Sequence, residues 1–321
     1  MRCAYPMIAV RMPGLTKNGK TPLRFYGSAK KFAGLHQFNI KMGWASLLGN
    51  PLLLPCRRCI QCRLNKSSSW ATRLMHESKA HDSSVFLTLT YDDFHLPSSG
   101  SLVKSDLRTF FKDLRARLDY YGLGKIKFFG VGEYGEKSKR PHYPAIVFGG
   151  GFDRGGINEE EPSRSGGRQW SHETISSVWS KGLHRLSQVT FESAAYVARY
   201  ALKKITGDPA GDHYGELQPE FQSTSNGLGK GWFGVFQEDV FPRNQVILHT
   251  PKGNRELPPP DYYLRLLEKA DPFLFEQVRQ KREKILKELG TVEFFQDLID
   301  RDREGQVKTL EAEASLIRGM L

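Results

Sequence analysis

The sequence predicts an α+β fold in which helices flank an antiparallel sheet. Between residues 83 and 205, segments rich in β-branched and aromatic residues are interleaved with segments whose apolar residues recur at helical spacing. Two of the strand segments follow one another across a short polar connection, which suits an antiparallel hairpin. This order of elements is typical of an α+β domain.

The first 50 residues predict short strands and turns, because glycines are dispersed among apolar residues. A helix is predicted over residues 64–80, downstream of a cysteine-rich stretch. The residues that fall at helical spacing there are Trp70, Arg73, Leu74 and Glu77. We therefore expect an N-terminal segment that ends in a helix.

The central region begins with a predicted buried strand over residues 84–91. An amphipathic helix is predicted over residues 104–120, where apolar residues recur at helical spacing. Those apolar residues are Leu107, Phe110, Phe111, Leu114 and Leu118. Two further strands are predicted, over residues 125–132 and 142–148, with the polar hairpin connection between them.

The second half of the central region is more polar. Residues 149–168, rich in glycine, serine and acidic residues, predict a mobile insertion. A short helix is expected over residues 170–182, a strand within 182–190 and another helix over 191–205.

Beyond residue 206 the composition changes, with many glycines and a hard break at Pro258–Pro260. Two charged helical stretches are expected after the break, over residues 261–289 and 292–318. The predicted domains are an N-terminal segment (1–82), a central domain (83–205) and a C-terminal region ending in helices (206–321).

Composition and charge narrow the class of protein. Hydrophobic residues make up 39% and charged residues 26% of the 321 residues, a balance that excludes a mostly disordered chain. Lysine and arginine outnumber aspartate and glutamate by 47 to 35, giving a net charge of +12 that favours a polyanionic partner such as nucleic acid. A soluble enzyme that is merely basic is the alternative.

Neither a membrane nor an exported location is expected. The sequence has no apolar run of the roughly 20 residues that a membrane helix needs. Its first residues, Met1–Pro6, lack the long apolar core of a signal peptide. Four cysteines, three of them close together, do not suggest a disulfide framework, and a reducing cytoplasm fits them better.

The polar hairpin brings two candidate ligands together. Glu133 ends one predicted strand and His142 opens the next, so the two side chains are expected to lie side by side. A carboxylate and a neutral imidazole suit Mg²⁺ or Mn²⁺. Position 144 shares a face with His142, and a proline stands there. The alternative is an ordinary hairpin with a capped glutamate and a hydrogen-bonded histidine.

The predicted helix after residue 191 carries a second candidate group. Tyr196 and Tyr200 are one turn apart, and Lys203 lies on the same stripe. A phenol can attack a phosphodiester, and a neighbouring ammonium can stabilise the phenolate or a phosphate oxygen. The alternative is an amphipathic helix whose tyrosines are half-buried in the core.

A third candidate group is formed by cysteines. Cys56, Cys59 and Cys62 are spaced by three residues within a basic loop, which suits Zn²⁺, and Cys3 could supply a fourth ligand. We interpret this group as a structural clip. An iron–sulfur cluster and three unrelated free thiols are the alternatives.

Taken in order, these segments resemble the motifs of rolling-circle replication initiators of the HUH endonuclease superfamily. The segments that carry the resemblance are Phe86–Asp93, Gly132–Gly135 with Arg140–Tyr143, and Tyr196–Lys203. The nearest likeness is to the initiators of gokushovirus-like microviruses, which are small single-stranded-DNA phages. The segment Pro55–Arg63, with Trp70, Arg73, His76 and Glu77, is also similar, so the likeness covers about residues 1–205.

The resemblance implies a five-stranded antiparallel sheet with flanking helices and a divalent metal, Mg²⁺ or Mn²⁺. By position, Glu133 and His142 match the metal ligands, whereas the family's second histidine corresponds to Pro144. Three consequences stay open. Water or Asp92 completes the ligand shell, or the metal affinity falls, or the protein is inactive.

The resemblance also implies the reaction. One tyrosine attacks the scissile phosphate of a single-stranded origin, forming a 5′-phosphotyrosine and a 3′-hydroxyl that primes a host polymerase. The other tyrosine cuts the regenerated origin, and strand joining then releases a circle. The implied catalytic residues are Tyr196, Tyr200 and Lys203, and the candidate contacts to DNA are Arg199, Lys204, Lys137, Lys139 and Arg140.

The expected location is the cytoplasm of a host bacterium, where a host helicase and polymerase are expected partners. The main alternative is a degenerate protein that binds origin DNA and does not cleave it, because of Pro144. A transposase or relaxase of the same superfamily and a structural scaffold are further alternatives. The C-terminal helices could mediate dimerisation, recruit a helicase, or simply pack on the domain as a solvated hairpin.

Overall fold

The computed structural model of the protein describes residues 3, 7–17, 19, 21–28, 51–135, 138–163, 166–200, 209–250 and 253–288. Tertiary contacts divide the chain into two units, residues 1–66 with 282–321, and residues 67–281. The domain boundaries expected from composition stay predictions. The predicted helix over residues 292–318 lies outside the described residues.

The first unit contains a small antiparallel sheet, as the glycine-rich start of the chain predicts. Its strands are β1 (Met7–Arg11), β2 (Leu23–Ser28) and β3 (Pro51–Leu54), in the order β2-β1-β3. Ala9 and Val10 of the middle strand are fully buried. Helix α1 (Ile60–Ser78) begins in this unit and continues into the second.

The second unit is built on a seven-stranded antiparallel sheet. Its strands are β4 (Ser84–Thr90), β5 (Lys127–Tyr134), β6 (Pro141–Phe148), β7 (Ile157–Glu160), β8 (Gln169–His172), β9 (His184–Gln188) and β10 (Phe221–Thr224). Their order across the sheet is β10-β5-β6-β4-β9-β8-β7. The predicted α+β class with an antiparallel sheet is confirmed.

Helices occupy both faces of this sheet. After α1 they are, in chain order, α2 (Lys104–Tyr120), α3 (Glu173–Ser176), α4 (Phe191–Tyr200), α5 (Pro209–Tyr214), α6 (Lys230–Val240), α7 (Asp261–Ala270) and α8 (Pro272–Glu288). A hairpin of β11 (Val246–Thr250) and β12 (Gly253–Leu257) precedes α7. Within the described residues, no helix is both long and apolar enough to cross a membrane.

The expected number of five strands is wrong, because three short edge strands extend the sheet. β7 lies inside the stretch predicted to be a mobile insertion, and β8 replaces the start of the helix predicted over residues 170–182. Trp170 of β8 is buried and its indole N–H donates to the carbonyl oxygen of Phe152 at 2.8 Å. These strands have four residues each, too few to show a clear alternation in the sequence.

One face of the sheet packs against α2. Leu87 of β4 and Tyr143 and Ala145 of β6 lie in a buried cluster with Leu107 and Phe111 of the helix. The predicted bounds of α2 are confirmed, and the five apolar residues predicted for its buried face are all buried.

The opposite face packs against α1 and α4. Phe129 of β5 and Ile146 of β6 share a buried cluster with Leu74 of α1 and Val197 of α4. Because side chains alternate along a strand, Glu133 lies on the same face as Phe129, and positions 142 and 144 on the same face as Ile146. The sheet therefore presents the predicted ligand positions to the side that carries α4.

The tail after Pro260 forms two helices where one long helical stretch was expected over residues 261–289. Asp271 has φ −141° and ψ 85° and caps the second helix, accepting a hydrogen bond from the N–H of Leu274 at 2.8 Å. Pro272 explains the break, since a proline disfavours helical backbone at the residue before it.

Candidate functional site

The two predicted ligands meet across the β5–β6 hairpin. Glu133 and His142 are direct register partners, and Nε2 of the imidazole lies 2.7 Å from Oε1 of the carboxylate. The side chain of Glu133 is 2% exposed and that of His142 is 20% exposed. The carboxylate is therefore buried beneath an imidazole that still reaches solvent.

Tyr143 fixes the direction in which its two neighbours on β6 face. Its hydroxyl accepts a hydrogen bond from the N–H of Val103 at 2.9 Å and lies 2.8 Å from the hydroxyl of Tyr91. Tyr91 in turn donates to Asp106 at 2.6 Å, and burial together with that hydrogen bond raises the pKa of the Tyr91 phenol. With Tyr143 anchored on the α2 face, His142 and Pro144 lie on the opposite face.

Pro144 is buried within the strand, where it pairs with Thr88 of β4. A proline offers neither a side-chain ligand nor a backbone N–H. Asp92, considered as a substitute ligand, accepts hydrogen bonds from the backbone N–H and Nδ1 of His95 at 2.7 and 2.8 Å. These bonds to His95 hold the pKa of Asp92 below its usual value.

Helix α4 begins at a capping box. The side-chain oxygen of Thr190 accepts from the N–H of Ser193 at 3.1 Å, and the Ser193 hydroxyl accepts from the N–H of Thr190 at 2.8 Å. Ala194, Val197 and Ala198 are buried, which seats the helix closely on the sheet. Small residues at these positions let the backbone of α4 approach the strands.

Tyr196 projects from α4 towards the buried carboxylate. Its hydroxyl donates to Oε1 of Glu133 at 3.4 Å, and its ring lies edge-on to Phe86 of β4 with 6.2 Å between ring centroids. The structure thus brings three of the predicted residues together, namely Glu133, His142 and Tyr196. A carboxylate, an imidazole and a phenol on one face can hold a cation, accept a proton and supply a nucleophile.

The remaining predicted residues of the site are less closely grouped. Arg140 forms an ion pair with Asp93 at 2.6 Å and donates to the carbonyl oxygen of Tyr91 at 3.1 Å. Lys139 is exposed at the hairpin tip, and Arg199 is half-buried on α4. The side chain of Tyr200 and the residues Lys137, Lys203 and Lys204 lie outside what the structure describes.

Sequence reasoning missed the residues that support Glu133 from behind. The ring of Phe221, on edge strand β10, packs so closely on Gly132 that a β-carbon there would lie 2.5 Å from the ring. A glycine inside a strand signals such a close approach. Gly132 could therefore have been identified, but its partner Phe221 could not.

The four cysteines also come together, in the first unit. Their sulfur atoms all lie within 4.8 Å of one another, and the Sγ atoms of Cys3 and Cys59 are 3.8 Å apart. Cys62 is buried, and this burial, together with its hydrogen bond to Cys3, raises the pKa of its thiol.

Comparisons with known proteins identify the family. A family model for the replication-associated protein ORF2 matches residues 84–205, the range that holds Glu133, His142 and Tyr196. The chain is 34% identical to the replication-associated protein ORF2 of Spiroplasma virus 4, over 73% of this chain and 74% of that protein. It is 35% identical to the replication-associated protein VP4 of Bdellovibrio phage phiMH2K, over 77% of each. The chain belongs to this family of phage replication-associated proteins.

A third relative extends the family to another host. The replication-associated protein ORF4 of Chlamydia phage 1 is 29% identical over 70% of this chain and 57% of that protein. Membership of this replication-associated family confirms the resemblance to microvirus rolling-circle initiators that the order of the motifs indicates. No solved structure matches the chain.

Proposed function

We propose that this protein initiates phage DNA replication by nicking single-stranded origin DNA with a tyrosine. The observation that carries the proposal is the hydroxyl of Tyr196, which lies 3.4 Å from Oε1 of Glu133, itself 2.7 Å from Nε2 of His142. A nucleophile, a proton acceptor and a cationic or hydrogen-bonding group are the parts that phosphodiester transfer to a protein side chain needs.

In the proposed step, the phenolic oxygen of Tyr196 attacks the scissile phosphorus and its proton passes to Oε1 of Glu133. The bond from phosphorus to the 3′-oxygen breaks, and that oxygen takes up a proton and leaves as a 3′-hydroxyl. The product is a 5′-phosphotyrosine. One phosphodiester replaces another, so the step needs no ATP, and the reverse reaction can rejoin strands.

The residues present fit a divalent cation in the chemistry of their donors. A carboxylate and an imidazole on adjacent strands are ligands that Mg²⁺ and Mn²⁺ accept, and Mg²⁺ commonly keeps several waters. Glu133 and His142 would hold the ion, which when bound would polarise the scissile phosphate. Pro144 contributes no ligand, so we expect weaker binding than a site with a second histidine would give.

The second tyrosine extends the proposal from cleavage to joining. Tyr200 lies one turn after Tyr196 on α4, about 6 Å further along the axis. We propose that it cuts the regenerated origin, so that the new 3′-hydroxyl can attack the first phosphotyrosine and close a circle. Lys203 is proposed to stabilise the phenolate or a phosphate oxygen.

The basic balance of the chain supports a single-stranded DNA substrate. A net charge of +12 favours a phosphate backbone. Lys139 at the hairpin tip and Arg199 on α4 are described near the elements that carry the site and are proposed backbone contacts, together with Arg140, Lys137 and Lys204. A host helicase and polymerase are proposed partners for the steps after nicking.

A second candidate function keeps DNA binding without cleavage. The observation in its favour is Pro144, buried at a position that faces the same side of the sheet as His142. A degenerate protein of this kind would bind origin DNA and form no covalent product.

The test is a covalent-adduct assay. End-labelled single-stranded DNA from the source phage is incubated with the protein and Mn²⁺, with or without chelator, and resolved on a denaturing gel. We expect label on the protein band that depends on Mn²⁺ and is lost when both Tyr196→Phe and Tyr200→Phe are present. Tyr120→Phe, at an exposed tyrosine on α2, is the matched control and should retain the adduct.

The two candidate functions give different results in this assay. Retained DNA binding without any adduct would replace the nickase with the degenerate binder. An adduct that survives the double substitution would contradict the assignment of the nucleophile to α4.

A further inference from the structure

We infer that Cys3, Cys56, Cys59 and Cys62 bind one structural Zn²⁺ ion. The inference concerns the first unit and is independent of the nicking chemistry proposed for the second. Every cysteine in the sequence belongs to this group, and their four Sγ atoms lie within 4.8 Å of one another. Thiolates in such a set of four are typical ligands of structural zinc sites.

The spacing of the sulfur atoms fits a single tetrahedral ion. Zinc–sulfur bonds of about 2.3 Å in a tetrahedron place neighbouring sulfurs about 3.8 Å apart. The Sγ atoms of Cys3 and Cys59 are 3.8 Å apart, although these residues are separated by 56 positions in the chain. This distance is what one shared ion would impose on the two ends of the segment.

Backbone groups already point at the sulfur atoms. The N–H of Cys59 donates to Sγ of Cys56 at 3.3 Å, and the N–H of Cys56 donates to Sγ of Cys3 at 3.2 Å. Hydrogen bonds of this kind orient metal ligands and offset the negative charge of thiolates. Between the first two cysteines of the loop, Arg57 has φ 62°, a left-handed conformation that turns the chain back on itself.

The fourth ligand comes from the start of a helix. Cys62 lies in the first turn of α1 and is buried, whereas the other three cysteines are half-buried. Four thiolates would fill all the positions of a tetrahedral ion. The site is therefore closed to substrate, which is the arrangement of structural zinc.

Other uses of the four cysteines fit the distances less well. A disulfide needs sulfurs about 2.05 Å apart, and all four cysteines are free thiols. An iron–sulfur cluster attaches its cysteines to different irons, so it would hold the sulfur atoms further apart than a single ion does. One ion between the four sulfurs is the simplest occupant.

The first unit also has a need for such an ion. Among its described residues, the fully buried hydrophobic side chains are Ala9, Val10 and Cys62. A small sheet with so little apolar core is commonly stabilised by a metal or by disulfides. The ion would fix Cys3, which precedes β1, to the loop that leads into α1.

The test measures metal rather than nicking. Full-length protein, purified under reducing conditions without chelator, is assayed for zinc and iron by mass spectrometry. We expect about one zinc per chain, and a cobalt-substituted protein with the charge-transfer absorption of four thiolates. In competition with a chromogenic chelator, Cys56→Ser and Cys3→Ser should each lower zinc affinity by roughly tenfold or more. Arg58→Ala, an exposed change in the same loop, should leave it unchanged.

The cobalt spectrum of the unmodified protein keeps the test valid if a serine variant does not fold. Iron with acid-labile sulfide in place of zinc would overturn the inference, as would a protein that binds neither zinc nor cobalt. An unchanged cobalt spectrum in Cys3→Ser would show that residue 3 is not a ligand. None of these results bears on whether the second unit nicks DNA.

Discussion

At the scale of residues, the candidate site depends on one pair and one exception. Glu133 and His142 are register partners on neighbouring strands, so the β5–β6 hairpin alone sets their distance of 2.7 Å. Tyr196 reaches the same carboxylate from a helix. The exception is Pro144, which faces the same side of the sheet but has nothing to offer a cation.

We predict that Pro144→His raises the affinity for Mn²⁺, measured by titration calorimetry, and increases the yield of the DNA adduct. The added imidazole lies two residues after His142 on the same face, where it can supply a further ligand. A gain of roughly tenfold in affinity is expected from one added ligand. The matched control is Pro144→Ala, which restores the backbone N–H without an imidazole.

An equal gain in the alanine variant would attribute the effect to the backbone of β6. No gain in the histidine variant, in a protein that remains folded, would contradict the placement of position 144 beside the cation site.

At the scale of elements, α1 is joined to the sheet by one buried charge. The Glu77 side chain is 1% exposed and lies 2.7 Å from Nζ of Lys127 on β5 and 2.9 Å from Nε2 of His81. It also accepts from the N–H of Gly229 at 2.6 Å. Burial alone would raise the pKa of this carboxyl, but the hydrogen bonds from these three partners outweigh it and lower the pKa to about 2.

A depressed carboxyl pKa stabilises the folded state at pH values above the unfolded pKa. From 4.5 in the unfolded chain to about 2 in the folded protein, the shift corresponds to about 3 kcal/mol of folding free energy. This contribution is complete above about pH 4.5 and is lost as the pH falls towards 2. We predict that Glu77→Gln lowers the free energy of unfolding at neutral pH by about this amount.

Urea unfolding, followed by tryptophan fluorescence over a series of pH values, measures the effect. The difference between the native protein and the variant should shrink as the pH falls below 4.5, whereas Glu268→Gln, at an exposed position on α7, should show little difference at any pH. A difference that does not depend on pH would show that the lost stability does not come from the charge of Glu77.

A second prediction at this scale concerns the seam between β5 and β10. A β-carbon at Gly132 would lie 2.5 Å from the ring of Phe221, whereas one at Gly130 would meet its neighbours at 3.5 Å, an ordinary contact. Gly132→Ala should therefore displace the edge strand and cost about 1–3 kcal/mol in urea unfolding. Gly130→Ala on the same strand is the matched control, and equal costs for the two variants would contradict the account of Gly132.

At the scale of the whole molecule, the sequence predicts elements that carry strong local patterns. Helix α2 has the predicted bounds, and β4 differs from its prediction by a single residue, because long apolar patterns specify both. The pairing of Glu133 with His142 was also predictable, since a hairpin relates residues that are close in the chain. The contact of Tyr196 with that pair was not, since it depends on how α4 packs on the sheet.

The edge strands show where such reasoning fails. β7 has the sequence INEE and is half-exposed or exposed throughout, so its place in the sheet comes from pairing with β8 and not from an apolar pattern. β10 is added to β5 from a segment almost 90 residues further along the chain. Partners that far apart in the chain leave no local signal.

The central claim is that a tyrosine of α4 becomes covalently joined to DNA. The most direct measurement is peptide mass spectrometry of the protein–DNA adduct after nuclease digestion. The account predicts a nucleotide attached through its 5′-phosphate to Tyr196 or Tyr200. A nucleotide on any other residue, or one attached through its 3′-phosphate, would contradict it.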